Sequence, residues 1–218
     1  MTDIFEFWSH IRRGENIHPA DEKVFARLDP RKHGFRADCL PACYGGRLRS
    51  APVVLLYLSP GFSEGDLKDA ASDEGKDRYL RRWAGNEPHR SEGAGSKWLK
   101  SRTKCFADYK TVSDKVATLN IGAYHSTDVR SYSALLALPS SRVSLSWAQN
   151  VLFPEAESGK RIVICMRSAA YWGLDTGRTY GESLFAPYVN RAGYLKKSDE
   201  NQKIVEKVRA ALSGNKYA

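Results

Sequence analysis

The sequence lacks long hydrophobic runs, and its longest apolar stretches, such as residues 53–58, are far too short to span a bilayer. Two acidic residues, Asp3 and Glu6, interrupt the apolar N-terminus, so we expect no signal peptide. Only four of the 218 residues are cysteines, which excludes a disulfide framework. We therefore expect reduced thiols, a cytoplasmic location and no membrane partner.

Motifs for cofactors are also missing. The sequence has no phosphate loop of the G-x4-G-K-S/T type and no G-x-G-x-x-G after a predicted strand. Cys39 and Cys43 form one C-x3-C pair without a second pair of ligands, so unliganded loop thiols are the better interpretation. We expect neither a nucleotide cofactor nor a metal.

The sequence has fewer acidic than basic residues. The chain has 34 Lys and Arg against 25 Asp and Glu, a net charge of +9. Residues 76–104 hold nine basic and three acidic side chains, together with Trp83 and Trp98. A surplus of this sign favours a polyanionic partner, nucleic acid before an anionic membrane, although a solvated basic face would look the same.

Apolar strands alternate with helical patterns along the chain, which predicts an α/β domain with a mainly parallel sheet between helical layers. We predict one domain over residues 1–218, with an N-terminal helical extension over about residues 1–50. Continuous apolar runs predict strands, and apolar residues at helical spacing predict helices. The strands are predicted over residues 53–58, 116–121, 161–166 and 183–186, and the main helices over residues 1–13, 21–28, 96–109, 141–153, 168–174 and 198–212.

One short motif is typical of a known class of enzymes. Residues 61–65 (GFSEG) match G-x-S-x-G, the nucleophile elbow of serine hydrolases. In that elbow the serine lies directly at the turn from strand to helix, whereas Ser-Pro-Gly intervenes here. No histidine follows His125 to complete the usual order Ser, acid, His. The better interpretation of Ser63 is a helix cap, and a serine esterase using Ser63 stays as an alternative.

Two strand ends resemble a known family. The run VVLLYLSPGF, residues 53–62, resembles the first motif of the uracil-DNA glycosylase superfamily, an apolar strand that runs into G-x-D-P-Y or G-x-N-P-G. The run VATLNIGAYHS, residues 116–126, resembles the superfamily's second strand, which ends in L-L-N. A shorter similarity is NRAGYL, residues 190–195, where the family has its H-P-S-x-L loop. The resemblance covers about residues 51–195.

The resemblance implies a fold and a partner. The fold is a three-layer α/β sandwich with a mainly parallel central sheet, as in uracil-DNA glycosylases. The partner is DNA, bound by a monomer without a cofactor. The activity is hydrolysis of the N-glycosidic bond of a base flipped out of the stack, which leaves an abasic site.

The resemblance also implies base-binding residues. Asn120 aligns with the Asn that hydrogen-bonds the pyrimidine edge, Phe62 with a residue that stacks on the flipped base, and Tyr57 with the first-motif Gly. Uracil-specific members carry a Tyr that blocks substituents at C5 of the pyrimidine, and Gly61 stands in its place. The resemblance therefore implies a 5-substituted pyrimidine, for example the glucosylated hydroxymethylcytosine of phage DNA.

The catalytic residues depart from the family pattern. Ser59 replaces the Asp or Asn that positions water, and Asn190 replaces the histidine of the late loop. Other groups close to the two strand ends are therefore also candidates. The full set of catalytic candidates is Ser59, Glu64, Asp66, His125 and Asn190.

DNA contacts are predicted in the basic segment and in the late loop, where Tyr194 or Leu195 would fill the vacated stack. The candidates are Arg81, Arg82, Lys97, Lys100, Arg191, Tyr194, Leu195 and Lys196. Two further alternatives stay open besides the esterase. They are a uracil-DNA glycosylase of base excision repair and a non-catalytic relative that binds nucleic acid.

Overall fold

The computed structural model describes residues 2–214 of the chain. The strands are β1 (Tyr44–Gly45), β2 (Val53–Tyr57), β3 (Val116–Asn120), β4 (Ile162–Cys165), β5 (Arg178–Tyr180) and β6 (Leu184–Ala186). They form one sheet in the order β1-β3-β2-β4-β6-β5. Neighbours among β3, β2, β4 and β6 pair in parallel, whereas the edge strands β1 and β5 pair antiparallel. The chain is an α/β protein with a mixed six-stranded sheet.

Helices connect the strands. The α-helices are α1 (Ile4–Ser9), α2 (Glu22–Phe25), α3 (Pro30–His33), α4 (Glu64–Ala71), α5 (Asp73–Arg82), α6 (Ala94–Thr103), α7 (Tyr109–Lys115), α8 (Tyr132–Ala137), α9 (Pro139–Trp147), α10 (Phe153–Glu157) and α11 (Asp199–Ser213). A π-helical turn covers Ala148–Leu152 and a 3-10 turn covers Ala169–Trp172. Among the described residues, no helix combines the length and apolar character needed to cross a membrane.

The central strand β2 is buried on both faces, as its unbroken apolar run predicts. Val54 and Leu56 belong to a first core that includes residues of α1, α5 and α9. Val53, Leu55 and Tyr57 belong to a second core that includes residues of α6, α7 and α11. Successive side chains of β2 therefore pack alternately into two cores on opposite faces of the sheet.

The N-terminal residues contribute to the first core. The predicted helix over residues 1–13 is shorter in the structure, where Asp3 caps α1 by accepting hydrogen bonds from the backbone N–H groups of Phe5 and Glu6. Met1 lies outside the described residues. The Trp8 ring stacks on Trp83, with centroids 4.4 Å apart. The first helix thus packs against the same core as α5.

Several predicted boundaries are wrong. Residues 29–50, where no strand or main helix is predicted, contain α3 and the edge strand β1, which is too short to show an alternating pattern. The helix predicted over residues 96–109 is two helices, because the Asp108 carboxylate accepts from the Thr111 N–H and begins α7. The helix predicted over residues 141–153 extends from α9 to α10 through the π-helical turn, which precedes Pro154, a residue without an N–H to donate.

A buried carboxylate joins the N-terminal segment to the loop that follows β3. Asp21 is fully buried, and its oxygens accept from the Tyr124 hydroxyl at 2.6 Å and from the Ser140 N–H at 2.9 Å. Ser140 lies in the first turn of α9, where a negative charge also interacts favourably with the helix dipole. Asp21 therefore holds the residue directly before His125 in place.

We expect Asp21→Ala to lower the free energy of unfolding by about 3 kcal/mol, because two buried donors lose their acceptor. Urea denaturation followed by circular dichroism measures the change. The matched control is Asp175→Ala, which removes an exposed ion pair with Arg178 and should cost less than about 1 kcal/mol. Equal stability of the two variants would contradict the anchoring role of Asp21.

Candidate functional site

The carboxyl ends of β2 and β3 lie side by side. Tyr57, the last residue of β2, pairs in register with Asn120, the last residue of β3. Hydrogen bonds continue beyond the strands, from the Gly122 N–H to the Leu58 carbonyl and from the Ser126 N–H to the carbonyl of Pro60. The two loops with the glycosylase-like motifs are therefore joined along their backbones.

These loops border a cavity of about 770 Å³. Eight of the residues predicted for the site line it: Tyr57, Ser59, Gly61, Phe62, Asp66, Arg82, Asn120 and His125. The candidates that do not line it are Glu64, Arg81, Lys97, Lys100, Asn190, Arg191, Tyr194, Leu195 and Lys196. The structure thus gathers the base-binding candidates in one place and leaves most of the DNA-binding candidates outside the cavity.

The orientation of the Asn120 amide follows from its neighbours. Its Nδ2 donates to the carbonyl of Ala42 at 3.1 Å and to that of Cys43 at 3.2 Å. Both neighbours are acceptors, so the amide nitrogen must face them. Among residues 2–214, no donor reaches Oδ1. Asn120 therefore offers the cavity a hydrogen-bond acceptor, whereas a free amide could both donate to and accept from a pyrimidine edge.

His125 has one bonded and one free nitrogen. Its Nδ1 lies 2.6 Å from the Gly61 carbonyl oxygen and 3.5 Å from Asp66 Oδ2. A carbonyl accepts only, so Nδ1 carries the hydrogen and donates to Gly61. The side chain is 5% exposed, and Nε2 is buried with no partner among the described residues. A buried nitrogen without a partner beside a cavity is suited to bind a ligand.

The hydrogen bonds of Ser63 are those of a helix cap. Its backbone N–H and its hydroxyl both donate to Asp66 Oδ2, at 2.7 and 2.8 Å, at the start of α4. A nucleophilic serine usually donates its hydroxyl hydrogen to a histidine, and among the described residues no histidine nitrogen lies within hydrogen-bond distance of the Ser63 hydroxyl. The geometry explains Ser63 as a cap and does not favour the esterase alternative.

Gly61 and Phe62 form an open wall of the cavity. A Cβ atom placed on Gly61 would meet no atom within 4 Å, so the space directly beside this residue is open. The Arg36 guanidinium lies 4.1 Å from the centroid of the Phe62 ring and covers one of its faces. This position therefore has room for a substituent on a ligand beside Phe62.

Two catalytic candidates lie away from the cavity. Glu64 is exposed in the first turn of α4, where an acidic side chain interacts favourably with the helix dipole. Asn190 is exposed, and its Oδ1 accepts from the N–H groups of Ala192 and Tyr194. Asn190 therefore shapes the turn of the late loop, and Ala192 and Gly193 from that loop line the cavity in its place.

The cavity itself carries balanced charge. Its lining includes four basic side chains, Lys68, Arg82, Arg90 and Arg167, and four acidic ones, Asp66, Asp69, Glu92 and Asp128. Asp69 pairs with Arg90 at 3.1 Å and with Arg78 at 2.6 Å. A cavity with this balance suits an uncharged ligand better than a phosphate.

Positive charge lies next to the cavity, where α6 meets the late loop. The Arg102 Nε donates to the Ala192 carbonyl, and its guanidinium stacks on the Tyr194 ring at 4.0 Å. Lys97, Lys100, Arg191 and Lys196 are exposed, and among the described residues no carboxylate lies within ion-pair distance of them. We call these five basic residues of α6 and the late loop the basic surface.

The predicted wedge residues are engaged within the fold. The Tyr194 hydroxyl is within hydrogen-bond distance of the Ser101 hydroxyl and accepts from Arg102. Leu195 is partly buried against the second core. Insertion of either side chain into a base stack stays a prediction.

Several side chains that line the cavity and could contact a ligand were not predicted for the site; Tyr132, Trp98, Arg167 and His89 are examples. Tyr132 and Trp98 are exposed aromatic residues, and the Tyr132 ring stacks on Tyr171 with centroids 4.6 Å apart. Arg167 follows β4. His89 lies against Gly46, and burial, with a smaller effect of the Arg82 charge, lowers its pKa to about 3. Trp98 lies in the basic segment that the sequence singles out, but no pattern marked the other three.

No cysteine lines the cavity among the described residues. Burial raises the pKa of Cys39, Cys43 and Cys165 to about 12, so these thiols are protonated at neutral pH. Within residues 2–214, no three His, Cys, Asp or Glu side chains are grouped so that they could hold a metal ion.

No protein-family model matches the chain, and neither a curated protein nor a solved structure matches it. The resemblance to the glycosylase superfamily therefore stays a prediction from the sequence motifs.

A fluorophosphonate probe should leave the wild-type protein unlabelled, because within residues 2–214 no histidine lies within hydrogen-bond distance of the Ser63 hydroxyl to activate it. Gel fluorescence after incubation with the probe measures the labelling. Ser63→Ala should lower the free energy of unfolding by about 1 kcal/mol through loss of the cap. Labelling of the wild type that disappears in Ser63→Ala would instead support the esterase alternative.

Proposed function

We propose that the protein is a DNA glycosylase that hydrolyses the N-glycosidic bond of a flipped, 5-substituted pyrimidine. One observation carries this proposal: Asn120, Gly61, Phe62 and His125 line the same cavity, although they come from two separate strand ends and the loops after them. The proposal includes a three-layer, mainly parallel sandwich of the uracil-DNA glycosylase type. It gives the chain DNA as its partner.

The charge distribution supports a nucleic-acid substrate. A nucleobase is uncharged and suits the balanced cavity, whereas the phosphates need cations outside it. The basic surface lies on that side, because Ala192 and Trp98 belong both to its elements and to the cavity lining. Exposed Tyr132 and Trp98 at the cavity offer ring faces on which neighbouring bases can stack.

The chemistry requires few groups. Hydrolysis breaks the bond from C1′ to the base nitrogen and forms a bond from C1′ to a water oxygen, so the water loses a proton and the base leaves with the electron pair. Asp66 Oδ1, which accepts no hydrogen bond within residues 2–214, is available to take that proton. The buried Tyr57 hydroxyl, also without a partner there, can donate to the leaving base.

The proposal is tested by an abasic-site assay on DNA that contains uracil, a thymine mispair, 5-hydroxymethylcytosine or its glucosylated form, followed by alkaline cleavage. We expect strand breaks at the 5-substituted bases. Gly61→Ala should keep the activity because its methyl group meets no atom within 4 Å, whereas Gly61→Tyr should remove activity on the bulky bases by about a hundredfold or more.

Breaks mainly at uracil would instead support the repair alternative. Absence of breaks on every substrate, together with salt-sensitive binding, would support the non-catalytic alternative. If Gly61→Tyr lowered the activity on substituted and unsubstituted bases by the same factor, the role given to Gly61 would be contradicted.

The stacked pair Tyr132 and Tyr171 should contribute to DNA affinity. These rings are 39% and 37% exposed and lie nearly parallel. We expect Tyr132→Ala to weaken binding of single-stranded DNA by about tenfold, measured by fluorescence anisotropy. The matched control is Tyr188→Ala, which removes a more exposed ring outside the cavity, at 60% exposure, and should leave affinity unchanged. Equal losses in both variants would contradict stacking at the cavity.

A further inference from the structure

Three side chains at the ends of β2 and β3 and in the loop after β3 present unpaired polar atoms at the cavity: Asn120, His125 and Tyr57. Both hydrogens of the Asn120 amide have backbone acceptors, the carbonyls of Ala42 and Cys43, so Oδ1 alone is presented. His125 donates from Nδ1 to Gly61, so the Nε2 of the neutral ring carries a lone pair. Tyr57 contributes a buried hydroxyl that can donate or accept.

Cytosine and uracil differ in the hydrogen bonds that they can form with Asn120 Oδ1. Cytosine bears an amino group at C4, whose two hydrogens lie at the end of its hydrogen-bonding edge and can reach Oδ1. Uracil has one donor, N3–H, between two carbonyl oxygens. If N3–H binds Oδ1, a carbonyl oxygen lies beside an amide nitrogen whose hydrogens are already donated, and that oxygen loses its water without gaining a donor.

We propose that the cavity selects a 4-aminopyrimidine, so that a 5-substituted cytosine is preferred over the uracil with the same substituent. This selection rests on the proposed function, because it assumes a flipped pyrimidine in the cavity. Asn120 Oδ1 sets the specificity, and the carbonyls of Ala42 and Cys43 act through it by holding the amide in one orientation. A site built to pair with a substrate N–H discriminates by leaving buried groups unpaired when that N–H is absent.

The decisive comparison uses two bases that differ only in the pyrimidine ring at C4 and N3. Single-stranded oligonucleotides of one sequence carry 5-hydroxymethylcytosine or 5-hydroxymethyluracil, so that no opposing base contributes. We expect kcat/KM for the cytosine form to be about tenfold higher or more. Equal rates, or a preference for the uracil form, would overturn the selection and leave the glycosylase activity standing.

A binding measurement separates this inference from the proposed function. The same bases on 2′-fluoroarabinose resist cleavage, and anisotropy then gives the affinity without turnover. Tighter binding of the amino form, with no abasic sites from cleavable DNA, would support selection and overturn the proposed hydrolysis. Equal binding of the two forms would overturn the selection, whether or not abasic sites are formed.

The variant Asn120→Ala tests the residue itself. It removes Oδ1, and we expect the ratio between the two bases to fall to about one, mainly through loss of affinity for the amino form. The matched control Asn150→Ala removes an exposed amide bonded to the Ser146 carbonyl outside the cavity, and it should keep the wild-type ratio. A wild-type ratio in folded Asn120→Ala would overturn the assignment to Asn120. If that variant does not fold, the comparison on the wild-type protein still decides the inference.

Discussion

The in-register pairing of β2 with β3 is the constraint on which the site depends. The pairing from Val53 with Val116 to Tyr57 with Asn120 brings the last residues of both strands to the same edge. Because side chains alternate along a strand, a slip of one residue would move Asn120 to the opposite face of the sheet from Tyr57. The same slip would place apolar side chains in the wrong core. Burial of β2 between two cores therefore also determines the geometry of the cavity.

Loop anchoring carries this constraint beyond the strands. The Ser126 N–H donates to the Pro60 carbonyl, and His125 Nδ1 donates to the Gly61 carbonyl. Tyr124 is held by Asp21, a buried carboxylate from the N-terminal segment. The imidazole of His125 is thus positioned by contacts on both sides of it in the chain. Its free nitrogen is held in place before a ligand binds, which reduces the ordering cost of binding.

Charge is divided between the cavity and its surroundings. Balanced charge and unpaired acceptors within the cavity suit an uncharged base with an amino group, and the exposed cations of the basic surface suit phosphates. The two regions meet because Arg102 on α6 bonds the Ala192 carbonyl of the late loop. The positions of the basic side chains therefore indicate the kind of partner, whereas the net charge of +9 alone does not.

Hydrophobic patterning in the sequence predicted the four parallel strands and the last helix, because continuous apolar runs and a helical apolar face are local signals. The same patterning placed Asn120 and Gly61 at strand ends, and both line the cavity. Local patterns could not reveal β1, which is two residues long, or the break between α6 and α7. They also could not show that Glu64 and Asn190 do not line the cavity, or that His89, Tyr132 and Arg167 line it, because separate elements bring these side chains to their positions. Only the tertiary structure decided which hydrogen bonds of Asn120 are already made, since its partners Ala42 and Cys43 lie more than seventy residues earlier in the chain.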